Sequence, residues 1–463
     1  MKERTNILKN FRELVLRYLT AADSFAEGES DCYISAATSS YSVARQTLNT
    51  DADALVLKDD NGDDDLAGER GTTVSRSKMA NHLSFLHVRL IILLSFLAGS
   101  HADRFTSDLL RRAVQFSRKD NVIVSPFSVR EALAQVYVGV KGSAADELHS
   151  ELHLTGHSKR ESVEEFRRFH QILSPGGGAT LKIANRIFVA HRFPVLLKYN
   201  ELVRKIFRTD AENINFLNSQ LAASRINKWV ATRTEYLIEE IVQPDSLDGD
   251  LRLLVINAIY FHGKWEIPFH PKNTDKSDFF IPGEGPVKVD MMHGLINVLY
   301  GRTDVLDAHA VELPYMNSNI SMLVILPNNP NGLPKLERNL YKVNLLTLTS
   351  EFEKEKILLD LPKFKIEFKL NLNQPLKGMG IQEIFRDPDF SDLTSPGECF
   401  FVSEVLQKAV IEVNEEGSTA AAATMAGIST KKRKPTFKVD HPFLFAIKDQ
   451  QRVYFVGRVR RLD

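Results

Sequence analysis

Residues 410–430 read VIEVNEEGSTAAAATMAGIST, and the stretch disagrees with itself. Val410 to Val413 alternate in the manner of a strand. Glu415, Glu416, Gly417, Ser418 and Thr419 come next, then Ala420, Ala421, Ala422 and Ala423, and then Thr424. Four alanines favour helix intrinsically, yet the run is too short and its side chains too small to bury a face. Such a segment is soft, able to be loop, turn or strand. It leads into Lys431-Lys432-Arg433-Lys434-Pro435, a basic cluster that a trypsin-like protease can cut. A pliable small-residue run ending in a cleavable basic site is an unusual combination.

Outward from it, strand-like runs appear at 253–261, 310–313, 320–326, 357–361, 400–405 and 454–459. Several are apolar on both faces, as central strands buried on both sides should be. Helical periodicity marks 104–116, 127–140 and 224–242, the second opened by Ser125-Pro126 as a start signal. Helices crowd the first half and strands the second, which predicts an α+β domain around large sheets. No Gly/Ser-rich or Pro-rich linker interrupts 103–463, so this span reads as one domain.

The region before it reads differently. Residues 90–99, LIILLSFLAG, are too short to span a bilayer but suit the core of a signal peptide. Ser100 and Ala102 supply the small side chains that signal peptidase wants, so 79–102 is expected to be a secretion signal counted from Met79. Residues 1–78 carry an acidic run, Asp59-Asp60-Asn61-Gly62-Asp63-Asp64-Asp65. They are expected to be a disordered or non-native extension, with translation starting at Met79. N-terminal sequencing of the native protein tests this.

Lys+Arg and Asp+Glu number 59 each, so no global field draws nucleic acid or an anionic membrane. Cys32 and Cys399 are too few for a zinc site or a disulfide framework, and Cys399 reads as a small hydrophobe beside Phe400 and Phe401. There is no G-x-S-x-G elbow, H-E-x-x-H, Walker loop or C-x-x-C. No catalytic residue, metal or cofactor is therefore expected, and nothing argues for an enzyme.

Glu415-Glu416-Gly417-Ser418-Thr419-Ala420-Ala421-Ala422-Ala423-Thr424 resembles the reactive-loop hinge of the serpin family almost residue for residue. The likeness runs from about 105 to 459. NVIVSPFSV (121–129) resembles the family's early helix entry, and Asn257-Ala258-Ile259-Tyr260-Phe261 with Gly263-Lys264-Trp265 its central strand motif. Leu361-Pro362-Lys363-Phe364, FKVDHPFLFAI (437–447) and FVGRV (455–459) resemble its late motifs.

The resemblance implies three β-sheets with about eight or nine helices and an exposed reactive-centre loop at about 415–440. It implies a monomeric suicide inhibitor that forms a covalent acyl complex and inserts its cut loop into the main sheet. Alternate loop residues Ser418, Ala420, Ala422 and Thr424 then face inward, and all are small and uncharged. Family spacing from Glu415 forward and from Pro442 backward meets at Lys431, giving Lys431-Lys432 as the reactive bond and a trypsin-like serine protease as partner. Cleavage at Arg433 is the alternative, as is an inhibitor of a dibasic-cleaving proprotein convertase.

A non-inhibitory carrier of the same fold stays open as a reading of another class. The loop-entry polar network is expected at Ser125, Ser128, Asn257 and Gln407, the last standing where many members have His. Lys159, Arg160, Arg167 and Arg168 fall where some serpins bind glycosaminoglycan, although a solvated helix face explains them better. Asn319-Ile320-Ser321 is a glycosylation sequon. The style is most like secreted insect serpins, which suggests an extracellular clotting, melanisation or immune cascade.

Overall fold

Long apolar runs organise the fold. In a computed structural model, residues 104–171, 177–395, 399–416 and 434–462 are described, all within one compact unit. Eight α-helices occur among them. They are α1 (104–116), α2 (Pro126–Gly139), α3 (Gly142–Glu151), α4 (Lys159–Gln171), α5 (Leu197–Phe207), α6 (Ser219–Arg233), α7 (Leu333–Asn339) and α8 (Asn373–Met379). The start signal read at Ser125-Pro126 is realised. The Ser125 side chain accepts a hydrogen bond from the Ser128 N–H, a standard N-cap, and Pro126 occupies the first helical position.

The strands are β1 (Val122–Val124), β2 (Ala179–Ala190), β3 (Glu212–Ile214), β4 (Leu253–Gly263), β5 (Thr274–Ile281), β6 (Gly285–Thr303), β7 (Ala308–Pro314) and β8 (Ser321–Pro327). The chain continues through β9 (Glu353–Pro362), β10 (Phe364–Asn371), β11 (Val402–Val413), β12 (Thr436–Lys438), β13 (Phe443–Lys448) and β14 (Val453–Val459). One sheet has five strands in the order β10-β11-β4-β2-β3. The other has nine, β1-β14-β13-β8-β7-β6-β9-β12 with β5 beside β6. Of the three sheets expected, two are thus continuous. The 19-residue β6 pairs with β5 at its start and with β9 and β7 further on.

Two expectations about elements change. The helix or pair of helices read over 224–242 is one helix that stops at Arg233, because Glu235 and Tyr236 adopt positive φ (54° and 63°) and no glycine announces the break. The runs at 400–405 and 410–413 belong to a single strand, β11.

The core divides into two apolar clusters, one toward the helices and one toward the nine-stranded sheet. On one face of β4, Leu253 and Val255 belong to the first cluster and Ile259 and Phe261 to the second. Asn257 lies between them. β11 repeats the pattern, with Val405 in the first cluster, Ala409 and Ile411 in the second, and Gln407 at the boundary. Alternation puts each set on one face.

Candidate functional site: the β4–β11 seam

β4 and β11 are parallel neighbours, registered from Val402↔Leu253 to Glu412↔His262. Parallel strands need a long crossover, and here most of the strand-rich half of the chain lies between them. The five-stranded sheet thus carries at its centre a seam that no hairpin closes.

Midway along the seam, register sets Asn185, Asn257 and Gln407 side by side on β2, β4 and β11. The Gln407 amide donates to Asn257 Oδ1 at 2.6 Å, and the Asn257 amide donates to Asn185 Oδ1 at 2.6 Å and to Ser128 Oγ at 2.5 Å. Ser128 Oγ also donates to Asn185 Oδ1 (3.1 Å), and Gln407 Oε1 accepts from the Ser125 N–H (3.2 Å). All five residues are buried, so each polar atom needs a partner within the protein. The structure brings together the four residues expected from the sequence and adds Asn185. A lone asparagine in the apolar run ATLKIANRIFVA of β2 was the available signal.

At the seam's upper end the chain leaves β11 through Asn414, Glu415 and Glu416. Trp265 clamps it: the indole N–H donates to Asn414 O at 2.7 Å and the backbone N–H to Glu416 O at 3.0 Å. The indole itself stacks on Tyr315 at 4.6 Å. Gly263 is required here, since a β-carbon on it would sit 2.4 Å from the Tyr315 ring.

Glu415 accepts from the Thr274 hydroxyl and pairs with Lys363, each at 2.8 Å. Burial pushes the Glu415 carboxyl up, but hydrogen bonds from Lys363, its own backbone and Thr274 outweigh this and hold it below the usual range. Glu416 reaches His262 Nε2 at 3.3 Å. Burial, followed by the charges of Glu412 and Glu416, raises the Tyr260 hydroxyl to about 12.

Gly417, Ser418, Thr419, Ala420, Ala421, Ala422, Ala423, Thr424, Lys431, Lys432 and Arg433 lie outside the described residues, as do 1–78 and 79–102. Beyond the loop the chain returns as β12, parallel to β9, with Pro435 O accepting from the Leu358 N–H. The loop therefore leaves from one sheet and arrives at the other.

Two surface readings can be placed. Asn319 is exposed in the β7–β8 turn. On α4, Lys159 is held by Val140 O (2.8 Å) and Asp392 (2.9 Å), and Arg167 pairs with Glu164 (3.4 Å). Cys399 departs from expectation: it is free and exposed rather than packed as a hydrophobe, while the adjoining Phe400 takes the buried place.

A five-stranded sheet with a parallel central seam, whose strand β11 leads toward a second sheet of nine strands, is the arrangement that known proteins match. The chain belongs to the serpin family, described as "Serpin (serine protease inhibitor)", whose sequence pattern matches residues 100–462. Serine protease inhibitor 42Dd of Drosophila melanogaster is 39% identical over 344 residues, covering 73% of this chain and 91% of that protein.

Among solved structures, Serpin48 of the insect Tenebrio molitor aligns with TM-score 0.71 and 32% identity, over 79% of this chain and 98% of that one. Native protease nexin-1 with heparin aligns with TM-score 0.71 and 26% identity, over 80% and 100%. The protein is accordingly a serine protease inhibitor and not an enzyme.

Proposed function

We propose that the protein is a secreted suicide inhibitor of trypsin-like serine proteases, cleaved between Lys431 and Lys432. The observation that carries this reading is the parallel pairing of β4 with β11, with the loop leaving from the end of β11. A segment that turns back beyond Glu416 runs antiparallel to β11, and therefore antiparallel to β4 as well. It can complete a regular ladder with both once they part. Serpin loop insertion is itself a known case of strand addition.

The chemistry is that of an interrupted protease cycle. The protease serine attacks the Lys431 carbonyl, the Lys431–Lys432 bond breaks, and the Lys432 amine leaves with a proton from the protease histidine. The ester that remains would ordinarily be hydrolysed by water. Insertion of about fifteen residues, roughly 50 Å of strand, carries the ester and protease away before water completes the cycle. Ser125, Ser128, Asn185, Asn257 and Gln407 act as the seam's latch, and Gly417 as its pivot.

Secretion through a signal at 79–102, a mature domain of 103–463, glycosylation at Asn319 and action in an insect-type immune cascade belong to the same reading. A glycosaminoglycan on α4 has less behind it, because Lys159 and Arg167 are already paired. The basic run Lys431-Lys432-Arg433 favours one rival target, a dibasic-cleaving convertase.

Mixing the full chain with trypsin and running a denaturing gel tests the proposal. A band at the summed mass that survives boiling supports it, and mass spectrometry of the released peptide identifies the bond. Complete cleavage with trypsin left free and active overturns it.

A further inference from the structure

Arg186 follows Asn185 on β2, so its side chain lies on the opposite face of the strand. There, a hollow of about 290 Å³ opens where β2, α5 and α6 meet, close to the lower size of small-ligand pockets. Arg186 donates to Asp210 Oδ1 at 2.6 Å and to Glu212, with its guanidinium over the Trp229 ring at 4.5 Å. Arg204 takes the other oxygen of Asp210 at 3.1 Å, and Arg225 pairs with Glu212.

Those two carboxylates are thereby ion-paired, with Glu212 Oε1 making no hydrogen bond among the described residues, and Arg208 and Arg233 also line the hollow. Among the described residues no carboxylate pairs with either; Arg233 donates only to the Arg208 carbonyl, at 3.4 Å. Five guanidinium groups thus face two carboxylates. Between the arginines stands Thr209, 8% exposed, whose hydroxyl has no hydrogen-bond partner among the described residues. The Nε–H of Arg186 is likewise unpartnered there.

A buried hydroxyl and a buried N–H without partners each carry a desolvation cost. Helix C-termini do favour cations, which accounts for Arg204 and Arg233 one by one. It does not account for the hollow or the orphan donors, although it favours Arg208, the C-cap of α5, in the same way. That residue holds a left-handed conformation (φ 54°) at the end of α5, which an arginine adopts only at some cost in strain.

We propose that this hollow is an oxyanion site, taking a sulfate or phosphate monoester group. Arg208 and Arg233 present forked donors that match its oxygens, and Thr209 Oγ–H and Arg186 Nε–H complete the set. The ligand would join α5, α6 and β2 through one group. It is reached independently of the loop and of the protease-trapping reading, and it is distinct from the basic residues of α4.

Isothermal titration calorimetry on the full chain tests it, with inorganic sulfate, glucose 6-phosphate and a sulfated heparin tetrasaccharide as separate probes. One-to-one binding is expected. It should weaken at least about tenfold in Arg208→Glu and by roughly fivefold or more in Thr209→Val, the loss of one charged or neutral donor, and stay unchanged in Arg160→Glu on α4. If Arg208→Glu does not fold, Arg208→Gln and Thr209→Val decide.

Tighter tetrasaccharide binding, displaced by inorganic sulfate, identifies a sulfated saccharide as the source. Tighter sugar phosphate binding, displaced in the same way, identifies a phosphorylated small molecule. The proposal is overturned if no probe binds at millimolar concentration, if the Arg208 and Thr209 variants bind like wild type, or if Arg160→Glu abolishes binding.

Discussion

Along the nine-stranded sheet, β8, β13 and β14 are buried at every residue, and Phe443, Phe445 and Phe455 fill the space between the sheets. Along the five-stranded sheet the apolar packing is interrupted at one level by the buried amides of Asn185, Asn257 and Gln407. The first sheet is held by apolar packing, which is non-directional and dense. At that level the second is held by side-chain amides whose partners lie across the seam. Packing of the first kind has no alternative arrangement, whereas an amide ladder can exchange one partner for another when a strand arrives. The difference separates a scaffold from a part that moves.

The largest effect should come from denying the seam its new strand. Ala422→Glu puts a carboxylate at an inward position of the proposed inserted strand, where burial without a partner is costly. The detergent-stable complex with trypsin should fall by more than about tenfold, with cleavage continuing; an undiminished complex band would contradict the inward set.

Next is the scaffold itself. Phe455→Ala should cost about 3–5 kcal/mol in urea unfolding, since Phe455 is fully buried in β14. It should do so equally in intact and loop-cleaved protein; a loss confined to one form would mean that this sheet also moves.

Gln407→Leu sharpens the contrast. It leaves Asn257 Oδ1 without its 2.6 Å donor and the Ser125 N–H without its acceptor, at roughly 1–3 kcal/mol. Differential scanning calorimetry should show a lower melting temperature for the intact form, with a smaller change after cleavage.

The smallest effect is at the rim. Glu415 has its folded-state pKa held down, so its ionised form favours the folded protein. That contribution is complete above the unfolded value of about 4.3 and is lost as pH falls through the lower folded value. The urea midpoints of wild type and Glu415→Gln should therefore differ at neutral pH and converge in acid; a difference that persists below about pH 3 would assign Glu415 a role independent of its charge.

Much of the fold could be read from residues whose local chemistry has one meaning. The Ser125-Pro126 start and the 253–261 run, apolar but for Asn257, are of that kind. The sequence was silent where the meaning is set by a neighbour. Asn185 looks like a single polar residue until register puts it beside Asn257. Trp265 becomes a clamp only because Asn414 returns to it. The Arg186 hollow gathers arginines from three separate elements, and no spacing along the chain joins them. The stop at Arg233 depends on positive φ at Glu235 and Tyr236, residues that carry no turn signature.

The missing hairpin between β4 and β11 also has a consequence in time. About 140 residues separate the end of one strand from the start of the other. On a ribosome adding about 5–20 residues per second, that is roughly 7 to 28 s. For that interval β4 has β2 on one side and a bare edge on the other, and a bare edge pairs with whatever strand it meets. The property that lets the finished sheet open is therefore a hazard at birth. Synthesis rate and chaperone cover while residues 264–401 are being added should influence yield more than any single side chain in the seam.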